Sequence, residues 1–302
     1  MNRRELLLSS AVLGVGAVSM AAPPKLPGNS GAPAPHLAPP AQGPITVAFL
    51  ISEGAVVIDF CGPWEVFENV TRAGSDEPAF RLYTVAESAD PVTVAGGMQI
   101  VPNFTFASAP PPSVIVIPAQ KGRSEAALAW IREASRKADL TMSVCTGAFL
   151  LAKTGLLDGK SATTHHAAYG TLAMEYPAIR VVRGARFVEE GNLASAGGLT
   201  SGIDLSLRVV ERYFGRAVAT QAADDLEYQG QGWLNPDSNE SYRARRVSTA
   251  AHPLCPVCEM DVDPKSAPRS TYLGQTYYFC MTSHKEGFDK APASFVAMLK
   301  AG

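Results

Sequence analysis

Two groups of residues in this 302-residue chain have types and spacings that can do chemistry. The first is the string Thr141-Met142-Ser143-Val144-Cys145-Thr146-Gly147-Ala148, which sets a cysteine between a short apolar run, read as a buried strand, and a helix start. A sharp strand-to-helix turn exposes its side chain at the carboxyl edge of a sheet, where α/β folds bind ligands. A helix N-terminus favours the thiolate, and the next backbone N–H can receive developing negative charge. Gly147 allows close backbone packing. The competing reading is a core cysteine, the commoner fate of this residue type. The strand–Cys–Thr–Gly–helix context favours a functional thiol, with no cofactor expected beside it.

The second group is C-terminal. Cys255-Pro256-Val257-Cys258 is a C-x₂-C knuckle, and Cys280 and His284 follow as a C-x₃-H pair one helical turn apart. A lone C-x₂-C also serves redox chemistry. The full C-x₂-C-x₂₁-C-x₃-H spacing points instead to four ligands around one metal ion. Thiolate and imidazole donors suit zinc or copper(I). The fifth cysteine, Cys61, reads as core.

The elements that must position these groups follow from periodicity. Ile45 to Ile51 is a continuous apolar run fit for a buried parallel strand, and Pro63 reads as the opening of a helix. Further strands are expected at Phe80 to Val85, Val114 to Ile117, Leu140 to Val144, Ile179 to Val182, Arg186 to Val188 and Asn192 to Ala196. Helices are expected at Ser124 to Ala138, with Ser124 as cap, at Gly147 to Thr154, and at Ser201 to Phe214, with another continuing to about Tyr228. Such alternation implies an α/β fold with a mostly parallel sheet covered on both faces. Between Gly230 and Ala251 the pattern dissolves into polar, Arg-rich sequence, read as a linker (230–251). Residues 252–302 are too few for a substantial core, which makes a metal a reasonable staple.

Residues 1–22 read as a Tat-type signal peptide. Arg3-Arg4 precede Leu6-Leu7-Leu8 and an apolar stretch from Ala11 to Ala22, with small residues around Ser19 and Ala21 for cleavage. That apolar core is short and broken, so no stable membrane anchor is expected and the destination is the periplasm. Outside the cytoplasm free thiols tend to be oxidised unless buried, metal-bound or reserved for function. Pro and Gly crowd residues 23–44, read as a flexible linker without means to pack. Hydrophobic residues at 46% and charged residues at 18% exclude a disordered chain. The net charge of −2 gives no reason to expect nucleic acid, leaving a small-molecule substrate or a metal ion as partner.

Three segments in order carry a resemblance. Ser143-Val144-Cys145-Thr146-Gly147-Ala148 continues through Leu156-Leu157-Asp158-Gly159-Lys160 to Ala162-Thr163-Thr164-His165. Asp59-Phe60-Cys61-Gly62-Pro63-Trp64-Glu65-Val66-Phe67 precedes it, and Thr200-Ser201-Gly202-Ile203-Asp204-Leu205 follows. Together they resemble the DJ-one/PfpI superfamily, class I glutamine amidotransferase-like, over a domain at 45–229. The nearest subgroup is similar to isonitrile hydratases and to the sensor-like domains of AraC-type regulators. The resemblance implies a flavodoxin-like three-layer sandwich that forms a homodimer. It makes Cys145 the nucleophile, Asp59 the general acid/base, Thr146 an active-site residue and His165 a neighbour of the cysteine. From the residues alone, Asp59 could instead cap the Pro63 helix, a reading placed behind the catalytic one, and His165 could be structural. Where the family has Pro-Gly-Gly this chain has Pro118-Ala119-Gln120-Lys121-Gly122, with an N–H still available to an oxyanion site.

The C-terminal segment 252–302 resembles a YHS domain, through the Cys255–Met260 stretch, Tyr272-Leu-Gly-Gln-Thr-Tyr277-Tyr278-Phe279-Cys280, Phe288 and Pro292. That implies a small Cys/His metal-stabilised domain held by Cys255, Cys258, Cys280 and, where that family often has another cysteine, His284. Two functions follow. One is an exported cysteine-dependent hydratase or hydrolase. The other is a periplasmic metal- or redox-responsive binding protein with a non-catalytic DJ-one/PfpI fold.

Overall fold

The computed structural model describes residues 34–72 and 74–301. The expected signal peptide lies outside the described residues. In chain order the larger domain contains β1 (Ile45–Leu50), α1 (Val57–Glu68), β2 (Phe80–Ala86), β3 (Phe104–Thr105), β4 (Val114–Ile117), α2 (Glu125–Ser135), β5 (Leu140–Val144), α3 (Gly147–Lys153), α4 (Tyr169–Glu175), β6 (Phe187–Glu190), β7 (Leu193–Ala196), α5 (Ser201–Phe214) and α6 (Arg216–Asp225). The small C-terminal unit follows with β8 (Arg269–Tyr272), β9 (Gln275–Tyr278), α7 (Thr282–Lys290) and α8 (Pro292–Ala301).

Seven strands form one sheet in the order β6-β7-β5-β4-β1-β2-β3, all parallel except the β6–β7 pair. Two-residue periodicity explains why both faces are apolar. Val47, Phe49, Val116 and Val144 turn one way onto Phe60 and Phe67 of α1 and Leu205 and Val209 of α5. Ala48, Leu50, Ile115 and Ile117 turn the other way onto Leu128 and Ile131 of α2, Leu151 of α3 and Leu172 of α4. The result is the three-layer, flavodoxin-like α/β sandwich.

The register aligns the carboxyl ends of the central strands. Phe49 pairs with Val116, Ile117 with Ser143, and Val144 with Ala196. The segments that leave these strands, including Cys145, Ala119 and Gly197, therefore emerge at one edge.

Three expectations change. Helix α1 begins at Val57, six residues before Pro63, which sits inside it. Pro63 removes one helical hydrogen bond there, while Val56 N–H bonds Ala119 O at 2.8 Å and anchors the helix start against β4. Residues 35–37 pack rather than float: Leu37 N–H donates to Arg212 O at 2.8 Å and Arg212 Nε donates to Pro35 O at 3.1 Å. Residues 230–251 are a fitted strap, with Trp233 buried, Arg186 N–H bonded to Pro236 O at 2.6 Å, and Tyr242 stacked on His166 at 4.2 Å. The polar composition of that strap hid its backbone and arginine anchors. Among the described residues no helix is long and apolar enough to cross a membrane.

Candidate active site and metal centre

Cys145 follows the last residue of β5 and takes φ = 57°, the left-handed conformation that a non-glycine residue rarely adopts. Two bonds hold it there. Its N–H donates to Gly197 O at 2.9 Å, and its carbonyl accepts from Thr164 Oγ1 at 2.9 Å. A Cβ on Gly147 would run into Ile117 O and the Pro118 carbonyl, so only glycine lets α3 start this close to the end of β4. The turn thus aims the sulfur inward, and Cys145 is 7% exposed.

The sulfur faces four groups: the Asp59 carboxyl, the backbone N–H groups of Thr146 and Leu199, and the Thr146 hydroxyl. Asp59 is fully buried in the first turn of α1. Its Oδ2 accepts the Ala119 N–H at 3.1 Å, and Oδ1 is buried without a hydrogen-bond partner among the described residues. Asp59 therefore does not cap a helix; it bridges the ends of β4 and β5. The Ala119 N–H is engaged by Asp59 and is not directed at an oxyanion site, because α1 begins early enough to bring the carboxylate under it.

Burial pushes the Asp59 carboxyl up to about 7, opposed by its hydrogen bonds with Ala119 and Cys145. Burial, and then the Asp59 charge, push the Cys145 thiol up to about 11. The N–H groups of Thr146 and Leu199 work in the opposite direction without prevailing. This reverses the expectation of an easily formed thiolate: one seven-residue helix start does not offset a buried, acid-paired sulfur.

Thr146 sits at the head of α3 but makes no capping bond, which leaves its hydroxyl toward the sulfur. His165 seats on the backbone beside the site: a Cβ on Gly198 would lie 2.5 Å from its Cδ2. Gly198 lies between Gly197, which anchors Cys145, and Leu199, whose N–H faces the sulfur. His165 Nδ1 accepts Ala167 N–H at 3.3 Å, and its ring lies 4.3 Å from that of His166. Burial, then His166, hold its pKa below the usual histidine range. Cys61, half-buried, packs against the core.

Sequence reasoning missed Leu199, with φ = 50°, and Thr164 as the brace of the turn. The Gly197-Gly198 pair directly after a strand was the available signal for the first, since paired glycines mark close backbone approach. Nothing in the sequence marks the second.

In the C-terminal unit the ligand atoms of Cys255, Cys258, Cys280 and His284 all lie within 4.8 Å of one another. Cys258 Sγ is 3.4 Å from Cys280 Sγ, and His284 Nδ1 is 3.5 Å from Cys255 Sγ and 3.3 Å from Cys280 Sγ. A tetrahedral ion with bonds of about 2.3 Å to sulfur and about 2.0–2.1 Å to nitrogen needs edges of about this length. The donor set fits a metal ion and leaves no open position. Pairing with Cys258 draws Cys255 far below the usual thiol range and pushes Cys258 upward, as expected for sulfurs crowded to share a cation or a proton. Cys280 stands just before α7 rather than on it, because Met281 is extended (φ −155°, ψ 159°); the bend still brings its sulfur to His284. Phe288 packs beneath, 4.9 Å from Tyr277 and 5.2 Å from Phe279.

The sequence profile of the DJ-1/PfpI family matches residues 45–212. The chain is similar to the isonitrile hydratase of Pseudomonas putida, 34% identical over 189 residues, 61% of this chain and 78% of that protein. It is also similar to the uncharacterized protein in the cpoL 5′ region of Streptomyces lividans, 37% identical over 140 residues, 45% of this chain and 97% of that one. Among solved structures, a ThiJ/PfpI family protein from Pseudomonas syringae superposes with a TM-score of 0.55 at 29% identity, over 71% of this chain and 84% of that chain.

Proposed function

Because the chain belongs to the DJ-1/PfpI family, we propose that it is a cysteine-dependent hydratase converting small isonitriles to N-substituted formamides. The observation that carries this reading is the buried pairing of Cys145 with Asp59, whose carboxyl is placed near 7 and can both take and give a proton at neutral pH. Asp59 removes the thiol proton as Sγ bonds to the terminal isonitrile carbon, and returns it to that carbon, giving a thioimidate. Water then adds to the same carbon, with Asp59 taking one of its protons and the nitrogen gaining one. The C–S bond breaks, the sulfur regains its proton, and the formamide leaves. The net change is addition of one water.

The transfer from a thiol raised to about 11 to a carboxyl near 7 runs uphill, and the Asp59 charge that helps raise the thiol is neutralised as the carboxyl takes the proton. The N–H groups of Thr146 and Leu199 face the developing thiolate and favour it. His165, seated on Gly198, keeps the Leu199 N–H in place, a positioning role.

The C-terminal ligands Cys255, Cys258, Cys280 and His284 would hold zinc or copper(I) as a structural ion, since a closed four-ligand set offers substrate no position. Export by the Tat route, which carries folded proteins, a periplasmic location and a homodimer complete the reading.

Wild type and Cys145→Ala should be compared for formamide production from alkyl, benzyl and aryl isonitriles. Turnover in wild type, lost by at least about 10³-fold in the variant, supports the hydratase. Absence of turnover from metal-loaded wild type across the series overturns it. The second reading is a metal-responsive binding protein, favoured by the contact of the metal ligands with α4, the helix that follows His165 and His166.

A further inference from the structure

The two units meet along one face of α4, at positions 170, 171 and 174, which lie together on a helix. Gly170 has no room for a Cβ, because the carbonyl of Val257, inside the Cys255–Cys258 knuckle, occupies that space. Met174 lies against Gly287 of α7 and packs on the aromatic cluster of the small unit. Between them, Thr171 Oγ1 is 3.3 Å from His284 Nε2. The other ring nitrogen, Nδ1, is the one turned to the sulfurs of Cys255 and Cys280.

A histidine that binds a metal through Nδ1 carries its proton on Nε2, and a partner for that N–H fixes both tautomer and ring orientation. The hydroxyl of Thr171 is such a partner, and it comes from the α/β domain rather than from the unit that supplies the four ligands. We propose that Thr171 is a positioning residue for the metal centre, accepting the Nε2–H of His284, so that metal loading clamps the C-terminal unit onto α4.

The inference rests on the reading of Cys255, Cys258, Cys280 and His284 as metal ligands, and goes beyond it in assigning part of the site to the other domain. Three consequences separate it from simple domain packing. Zinc should slow backbone exchange in α4, which holds none of the four ligands. Removing the hydroxyl should weaken zinc binding while all four ligands remain. A serine, which keeps the oxygen, should restore both.

The test uses the full chain as wild type, Thr171→Val and Thr171→Ser, with zinc(II) titrated against a chromophoric chelator and hydrogen exchange followed at residues 169–175 with and without zinc. The expected result is a loss of zinc affinity of about tenfold or more in Thr171→Val, near-wild-type affinity in Thr171→Ser, and zinc-dependent protection of 169–175 in wild type and Thr171→Ser only. Equal zinc affinity in wild type and Thr171→Val, or protection of 169–175 that ignores zinc in wild type, overturns the positioning role while leaving the ligand set standing. A wild type that binds neither zinc(II) nor copper(I) overturns the ligand reading itself, and the proposal with it.

Discussion

Asp59 shows how burial alone turns an ordinary carboxylate into a candidate acid/base. In the unfolded chain it titrates near 3.8, and in the folded chain near 7. Between those values the folded state binds more protons than the unfolded state, so its contribution to stability is present at low pH and lost as pH rises through that window. Asp59→Asn, which cannot ionise, should therefore leave stability nearly unchanged near pH 4 and raise it near pH 8, by about 2–4 kcal/mol. Urea unfolding at both pH values checks this; the same change at both would mean that the carboxyl is not perturbed. The same substitution should abolish formamide production, separating the residue's chemical role from its structural cost. Cys145 carries a smaller conformational cost, on the order of 1–2 kcal/mol for its left-handed backbone, and its hydrogen bonds to Gly197 and Thr164 hold it there.

The strand ends and helix starts at the carboxyl edge decide how tightly the site is built. Helix α3 can begin directly after Cys145 because Gly147 lies against the carbonyls of Ile117 and Pro118. Gly147→Ala must separate α3 from β4 or shift the turn, at about 1–3 kcal/mol. Thermal unfolding should show that loss, and turnover should fall more than stability does, since Cys145 and Thr146 move with the helix start. Unchanged unfolding would mean that the turn tolerates a Cβ. Helix α1 carries Pro63 in its interior, and its early start places Asp59 beneath Ala119.

At the scale of the whole molecule, charged groups as well as the apolar face of α4 join the two units. Glu259, next to Cys258, is 3.0 Å from Arg183 of the α/β domain and 3.8 Å from Arg245 of the strap, and it accepts the Arg246 N–H at 3.0 Å. The Arg183, Arg245 and Glu259 side chains are only 19%, 12% and 14% exposed. Breaking a buried ion pair leaves its partners charged and unpaired, so Glu259→Gln should cost about 3 kcal/mol. Arg136→Gln, at a solvent-exposed pair with Glu133, should leave the unfolding midpoint almost unchanged. Denaturant unfolding of the two variants, with limited proteolysis across residues 230–251, tests the contrast; equal costs would show that the Glu259 cluster is solvated.

Local pattern was enough for much of this. The strands Val114–Ile117 and Leu140–Val144 and the helix Ser201–Phe214 are legible because continuous apolar runs and amphipathic spacing report burial directly. The cysteine turn and the cluster of Cys255, Cys258, Cys280 and His284 are legible because both depend on residue type and spacing. Other features were decided by segments distant in sequence. Asp59 meets the Ala119 N–H across 60 positions and Thr171 meets His284 across 113. The burial that sets the Asp59 and Cys145 acidities depends on the whole sheet edge, and no local window contains it. The sequence by itself determined which groups can do chemistry; the tertiary structure decided their protonation and their partners, because both depend on what excludes water around them.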